Sequence, residues 1–163
     1  MPVRIEIAEL PSDVDREAIL KPLLAYNEAN GGAPQYTPIA IKLCDAATGA
    51  CLGGLWGQLY YDWLFVELLY IPEAERRQDI GSTLMAEAEA IARRKGCVGV
   101  WLDTFSFQAP DFYRKLDYEV FGTLNDYPRG GARLFLRKLL PNSPRRRDGD
   151  SGQAPLTAAP PDI

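Results

Sequence analysis

No histidine occurs among the 163 residues of this chain, and that absence removes whole classes of chemistry. A Ser-His-Asp hydrolase, a Cys-His protease and a His-ligated zinc centre each need an imidazole. Any proton moved at a site here must pass through Asp, Glu, Tyr, Cys, Lys or water. Cysteine is scarce too: Cys44, Cys51 and Cys97 are three, an odd number without metal-ligand spacing. Cys44 and Cys51 could face each other across a hairpin and close a disulfide, but reduced core thiols are the expectation, because a cytosol keeps thiols reduced. No run of about 18 apolar residues occurs, so no membrane-spanning helix is expected. The opening Met1-Pro-Val-Arg-Ile-Glu-Ile-Ala-Glu-Leu10 lacks the basic-then-apolar layout of a signal peptide. A cytoplasmic protein is the expectation.

An excess of basic charge is missing as well. The formal net charge of -4 offers no general attraction to nucleic acid or to an anionic membrane surface. The short run Arg145-Arg-Arg147 is offset by Asp148, Asp150 and Asp162, so it reads as a solvated linker rather than a nucleic-acid arm. What is present, 47% hydrophobic and 25% charged residues, suits one globular domain with a single core. That domain is expected over residues 1–140. Residues 141–163 hold five of the thirteen prolines and almost no large apolar side chains, and are expected to form a disordered tail.

Along the chain, Val3 to Ile7 alternate with charged neighbours and predict a first strand. Asp13 or Asp15 can cap a helix carrying Ile19, Leu23, Leu24 and Tyr26 at helical spacing, with Pro22 predicting two pieces or a kink. Tyr36 to Leu43 and Ala50 to Tyr60 read as a hairpin around Asp45-Ala-Ala-Thr-Gly49. Trp63 to Ile71 is nearly all apolar and ends at Pro72, the pattern of a strand buried on both faces. Glu67 is its one charged residue, and a carboxylate there needs a reason. Ile80, Leu84, Met85, Ala88 and Ile91 form the stripe of a strong helix, with Arg93, Arg94 and Lys95 near its negative end and Gly96 to stop it. A buried strand over Val98 to Leu102, a short helix over Ala109 to Leu116, and strands over Tyr118 to Leu124 and Arg133 to Leu139 follow. The class is mixed α/β.

The turn Pro72-Glu-Ala-Glu-Arg-Arg-Gln-Asp-Ile-Gly-Ser-Thr83 leads a buried strand into a helix N-terminus, where the first N–H groups lack helical partners and favour an anion. Arg76 and Arg77 add positive charge, and Gly81 removes a side chain where an anion would approach. A plain surface turn with solvated arginines reads the same way. It is neither a P-loop nor the three-glycine dinucleotide turn.

Arg76 to Gly81 resembles the acetyltransferase pattern Gln/Arg-x-x-Gly-x-Gly/Ala of the GCN5-related N-acetyltransferase (GNAT) family, with Asp79 in place of the central glycine. The likeness extends through Gly53-Gly-Leu-Trp-Gly57, Leu69-Tyr-Ile-Pro-Glu73, Arg94-Lys-Gly-Cys97 and Leu102-Asp-Thr-Phe-Ser-Phe-Gln-Ala-Pro110. It continues through Phe112-Tyr-Arg-Lys-Leu-Asp-Tyr118 and Phe121-Gly-Thr-Leu-Asn-Asp-Tyr-Pro128, and is strongest over residues 53–139. The resemblance implies a mostly antiparallel sheet of about six to seven strands with a central splay, flanked by about four helices. It implies an N-acetyltransferase with acetyl-CoA as co-substrate, an amine acceptor and, as often in the family, a homodimer.

Carried over residue by residue, the backbone of Leu69, Tyr70 and Ile71 would bond the pantetheine arm, and one N–H would polarise the thioester carbonyl. The diphosphate would sit on Arg76, Arg77, Gln78, Asp79, Ile80, Gly81 and Ser82, with Gln108 and Phe112 beside the cofactor. Tyr113 matches the tyrosine that protonates the departing thiolate. Glu67 is the first candidate for the base that frees the amine, and Asp103 the second. For each the ordinary alternative is a buried hydrogen bond or ion pair. Trp56, Tyr60, Tyr61 and Trp63 could line an acceptor pocket, with Asp103 beside them, or be plain sheet aromatics. Two positions depart from the family. Gly131 stands where related sequences often place a histidine. Asp79 would set a like charge beside the diphosphate and could cap the helix with its own side chain, so weakened coenzyme binding is expected. Asp79 also keeps a second reading open, a non-catalytic CoA-binding or protein-interaction member of the fold. A third reading is an interaction module that takes a peptide strand at its cleft.

Overall fold

The computed structural model describes residues 3–76 and 78–141. Arg77 and the tail expected after Pro141 lie outside the described residues. Two compact units divide the chain, Met1–Pro34 and Gln35–Ile163.

The first unit is built on helix α1, Asp13–Gly31. Ser12 caps it. The Asp15 N–H reaches the Ser12 hydroxyl, while the Asp15 carboxylate accepts from the Ser12 N–H at 2.8 Å, a reciprocal capping box. Pro22 lies inside α1 without ending it, so the expected division into two pieces is corrected. A proline removes one helical hydrogen bond, and the turns on either side keep theirs. Val3 to Ile7 are not a strand. Alternation predicts a strand only where a partner backbone joins it, and these residues enter no ladder.

The second unit holds a six-stranded sheet in the order β1-β2-β3-β4-β6-β5. The strands are β1 Thr37–Cys44, β2 Cys51–Tyr60, β3 Trp63–Tyr70, β4 Gly99–Phe105, β5 Glu119–Asn125 and β6 Ala132–Leu139. The β1–β2 turn forms because the Asp45 carboxylate accepts from the N–H groups of Ala47 and Thr48 and from the Thr48 hydroxyl, the local competition that makes Asp a turn residue. Cys44 and Cys51 do occupy facing positions, but as exposed free thiols, and only Cys97 is buried. At the end of a hairpin those positions face water, not the core.

Helix α2, Ile80–Arg94, carries the crossover from β3 to β4, the sheet's one parallel pair among the described residues. Its stripe of Leu84, Met85, Ala88 and Ala92 packs on Leu64, Val66, Val100, Leu102 and Leu136 in one core. Burying each large member contributes about 1.5–3 kcal/mol. Helix α3, Pro110–Lys115, follows β4. The described residues thus hold three α-helices and one short 3-10 turn, Glu73–Glu75. Among the described residues no helix is long and apolar enough to cross a membrane, and no group of side chains could hold a metal ion.

Beneath α2 the Glu89 carboxylate is almost fully buried. It accepts from Lys138 Nζ at 2.9 Å, from the Tyr118 hydroxyl at 3.2 Å and from Arg93 at 3.3 Å. Burial and the Glu89 charge push the Tyr118 phenol far up, so it stays a donor. Lys138→Met is expected to lower unfolding stability by about 2 kcal/mol, because it strands a buried carboxylate that keeps only part of its partners. Urea titration measures the loss, and the double variant with Glu89→Leu should recover most of it.

The feature that positions the site is a break in pairing. β3 pairs with β4 only from Trp63↔Gly99 to Val66↔Leu102. Beyond Val66, β3 stays with β2 as far as Tyr70, while β4 stays with β6 as far as Phe105↔Arg133. The two strands part and open a V in the middle of the sheet. Burial on both faces, expected for all of Trp63 to Ile71, is therefore corrected: in the paired half Leu64 and Val66 are buried but Trp63 and Phe65 only partly, and beyond it Leu68 and Tyr70 are each 59% exposed.

Candidate active site

The splay begins at a β-bulge. Gly57 faces Val66 and Trp56 faces Leu68, which leaves Glu67 as the extra residue on β3. An added residue bends and twists a strand, so the one charged residue of an apolar run marks the place where β3 turns away from β4. Gly57 is required opposite it, since a Cβ there would lie 2.4 Å from the Phe65 carbonyl oxygen. Glu67 Oε2 is buried and has no hydrogen-bond partner among the described residues. Tyr36, just before β1, is near enough for the Glu67 charge to help burial raise its pKa.

The coenzyme candidates Leu69, Tyr70 and Ile71 follow at the far end of β3. Leu69 and Tyr70 pair with Leu55 and Gly54 of β2, and their edge toward β4 carries no ladder. That edge offers backbone donors and acceptors to an extended ligand. The Ile71 carbonyl is taken by Arg76 Nε at 3.1 Å, which folds the exposed arginine across the turn. Gln78 Nε2 lies 3.4 Å from Glu75 on the surface.

Asp79 is the N-cap of α2, in the left-handed region at φ 56°, with no capping bond from its side chain. The expectation that its carboxylate could occupy the helix amides is thus corrected. A left-handed backbone turns the carboxylate away from the position an N-cap side chain takes. Its carbonyl instead accepts from the Thr83 N–H and hydroxyl. The same angle explains the residue type: the acetyltransferase pattern has glycine here, and Asp is among the few others that tolerate positive φ. The first N–H groups of α2, on Ile80, Gly81 and Ser82, stay open to an anion. The missing side chain of Gly81 points inward, because a Cβ would meet Ile71 Cδ1 and Phe112 Cζ, each at 3.0 Å. Glycine there lets α2, the end of β3 and α3 come together.

Tyr113 sits on α3, half-buried, its ring 5.0 Å from Phe112 and 6.2 Å from Tyr118. Burial, aided by the charge of Asp103, pushes its phenol up to about 12. Asp103 accepts from Arg133 Nε at 2.6 Å, and the Arg133 guanidinium lies within 5.8 Å of the ring centres of Phe105, Tyr127 and Phe135. Asp103 is thus half of an aromatic-boxed ion pair, the ordinary alternative for such a carboxylate. Gln108 Oε1 accepts from the Phe105 N–H at 2.8 Å and the Thr104 hydroxyl at 3.0 Å, fixing the end of β4.

Of the aromatic candidates, Trp56 is 40% exposed, Tyr60 packs edge-on against Tyr61, and Trp63 covers Gly99. The structure brings Glu67 to the start of the splay, Leu69 to Ile71 along one arm, and α2's first turn with Phe112 at its end. It gives Asp103 and Gln108 partners within the fold. Sequence reasoning missed Arg133 and Gln58. Gln58 is 7% exposed with an unpartnered Oε1; its only signal was a polar residue in an apolar strand, the same signal that singled out Glu67.

Comparison with known proteins bears on the family and the fold. The sequence profile of the acetyltransferase (GNAT) family matches residues 6–118. A blasticidin-S acetyltransferase of Streptomyces morookaense is 42% identical over 93 residues, 56% of this chain and 68% of that protein. An acetyltransferase of Agrobacterium fabrum (strain C58) is 35% identical over 128 residues, 78% of this chain and 93% of that protein. The crystal structure of an acetyltransferase from Bacillus cereus superposes with a TM-score of 0.75 at 31% identity, covering 83% of this chain and 98% of that one.

Proposed function

Because the chain belongs to the acetyltransferase (GNAT) family, we propose that it moves an acetyl group from acetyl-CoA to an amine by direct attack on the thioester. The observation that carries this reading is the bulge at the splay, where Glu67 presents a buried carboxylate oxygen without a partner among the described residues.

The free edge of β3 over Leu69, Tyr70 and Ile71 is suited to the pantetheine arm, and the open amides of Ile80, Gly81 and Ser82, with Arg76 nearby, to the diphosphate. Acetyl-CoA supplies the activated acetyl group and the thiolate leaving group. Glu67, through water, takes a proton from the acceptor ammonium and so gives the nitrogen its lone pair. The nitrogen bonds to the carbonyl carbon as the carbon–sulfur bond breaks, and the second amine proton ends on sulfur. Tyr113 acts as an O–H donor to the departing sulfur. With its phenol at about 12 and a thiol near about 8.5, handing over the proton outright runs uphill. A hydrogen bond to the developing charge does not.

A relative named a blasticidin-S acetyltransferase makes an acceptor of that kind the first to test. Calorimetry with acetyl-CoA, followed by thiol release over an amine panel that includes it, tests the reading; no coenzyme binding and no release would sink it. Asp79→Gly is expected to tighten acetyl-CoA about fivefold, since a like charge within a few Å of a phosphate costs about 1 kcal/mol in water. An unchanged or weaker affinity would show that the carboxylate is neutral or useful there.

A further inference from the structure

Cys44 and Cys51, the two exposed thiols of the chain, face each other where the β1–β2 hairpin meets its turn. The kind of pair they make follows from one hydrogen bond. The Asp45 N–H donates to the Ala50 carbonyl at 2.9 Å, so Asp45 and Ala50 lie opposite each other at a hydrogen-bonded position. Such positions alternate with non-hydrogen-bonded ones along an antiparallel ladder, and Cys44↔Cys51, next in register, is of the second kind. There the Cα atoms approach to about 4.5 Å and the side chains lie closest. A disulfide needs Cα atoms about 4.4–6.8 Å apart, and cross-strand partners share a face. The turn holds this register through its own bonds: the Asp45 carboxylate accepts from Ala47 and Thr48, and the Gly49 N–H donates to the Asp45 carbonyl at 2.8 Å. Cys51 Sγ rests 3.4 Å from the Gly53 carbonyl oxygen, a weak thiol contact that rotation of one side chain releases.

We propose that Cys44 and Cys51 are a reversible redox modification site, closed to an intramolecular disulfide by low-molecular-weight disulfides within the register the hairpin already has. The step is an exchange and balances as one. One cysteine loses its proton, its thiolate attacks a sulfur of the small disulfide, and that S–S bond breaks to release a small thiolate. The facing cysteine, deprotonated in turn, attacks the protein sulfur of the mixed disulfide, and the second small thiolate leaves. The two protons end on the two small thiols; the protein is oxidised by two electrons and the small disulfide reduced by two. Exposure admits the reagent, and the register makes the second attack intramolecular, so the mixed disulfide does not accumulate. An exposed disulfide is of the labile kind that small thiols reopen. Cys97, 1% exposed, takes no part. Past Leu52, left unpaired by the register shift, β2 runs on through Gly54 and Leu55, which pair with Tyr70 and Leu69. The closed form therefore ties β1 to β2 just before the segment that backs the free edge of β3. The proposal does not depend on the acetyl-transfer reading.

The test incubates the full chain with oxidised glutathione and reads intact mass and Tm. The expected product has lost two hydrogens and melts several degrees higher, because the crosslink restricts the unfolded chain; dithiothreitol reverses both changes. Cys44→Ser and, separately, Cys51→Ser should each stop at an adduct carrying one glutathionyl group, with no rise in Tm. Cys97→Ala should close as the wild type does. A wild-type chain that stays unmodified, stops at the glutathionyl adduct or crosslinks to a second copy would overturn the site. So would closure with a lowered Tm, since the pair would then not fit the register.

Discussion

Glu67→Gln is expected to lower kcat for an alkylamine acceptor by about 10²–10³-fold at neutral pH, within the range for loss of a positioned base. The change keeps the size of the side chain and removes its charge, so the bulge that opens the splay should survive. Acetyl-CoA affinity should survive with it, because the coenzyme candidates lie further along β3 and at the start of α2. The sign of the pH dependence is specific. At neutral pH an alkylamine is an ammonium and needs a base. As pH approaches about 10, near the pKa of an alkylammonium such as lysine's, the amine deprotonates in solution and the base matters less. The deficit should therefore shrink steadily on the alkaline side. Steady-state thiol release between pH 7 and pH 10, on both proteins, measures it. A variant with normal kcat and a lowered Tm would instead make Glu67 a structural carboxylate.

Tyr113→Phe is the second large effect, expected at about 10- to 100-fold in kcat with little change in KM. One hydrogen bond to a charged atom contributes roughly 1.5–3 kcal/mol, which corresponds to that range. A full proton donor would cost more when removed. The phenol also gives a stability signature. Its folded pKa is raised from 10.0 to about 12. Below pH 10 folded and unfolded chains both hold the proton, and its contribution is complete. Between 10 and 12 the unfolded chain ionises while the fold keeps the neutral form, and that contribution drains away; above 12 it is gone. Tyr113→Phe should flatten this part of the alkaline decline in unfolding stability, so kinetics and thermodynamics test the same buried hydroxyl separately.

Much of the molecule could be read locally. Asp45 and Thr48 wrote the hairpin turn, the spacing of Leu84, Met85 and Ala88 wrote the crossover helix, and Gly96, at φ 75°, its end. Pro72 closed β3. These depend on hydrogen bonds and periodicity within a few residues, which the order of side chains specifies directly. The family followed from several such segments in sequence, and the profile match over residues 6–118 bears it out. Local reading failed where a partner was required. Val3 to Ile7 alternate like a strand but enter no ladder. Pro22 forbids one hydrogen bond, yet the surrounding turns of α1 carry the helix through.

The candidate site was legible as residue types but not as an arrangement. Glu67 stood out as a lone charge in an apolar run, and Tyr113 and the turn into α2 through their resemblance. Asp103 and Arg133 are thirty positions apart, and only the β4–β6 register makes them an ion pair. The bulge that singles out Glu67 exists only in the pairing of β3 with β2. The sequence by itself therefore determined most of the elements, their order and the absence of imidazole chemistry. Tertiary structure decided where β3 leaves β4 and which buried oxygens are left without donors among the described residues. The reason is physical: a turn or a helix is satisfied by its own neighbours, whereas a splay, a bulge or an unpaired acceptor is defined by what a distant strand does or does not supply.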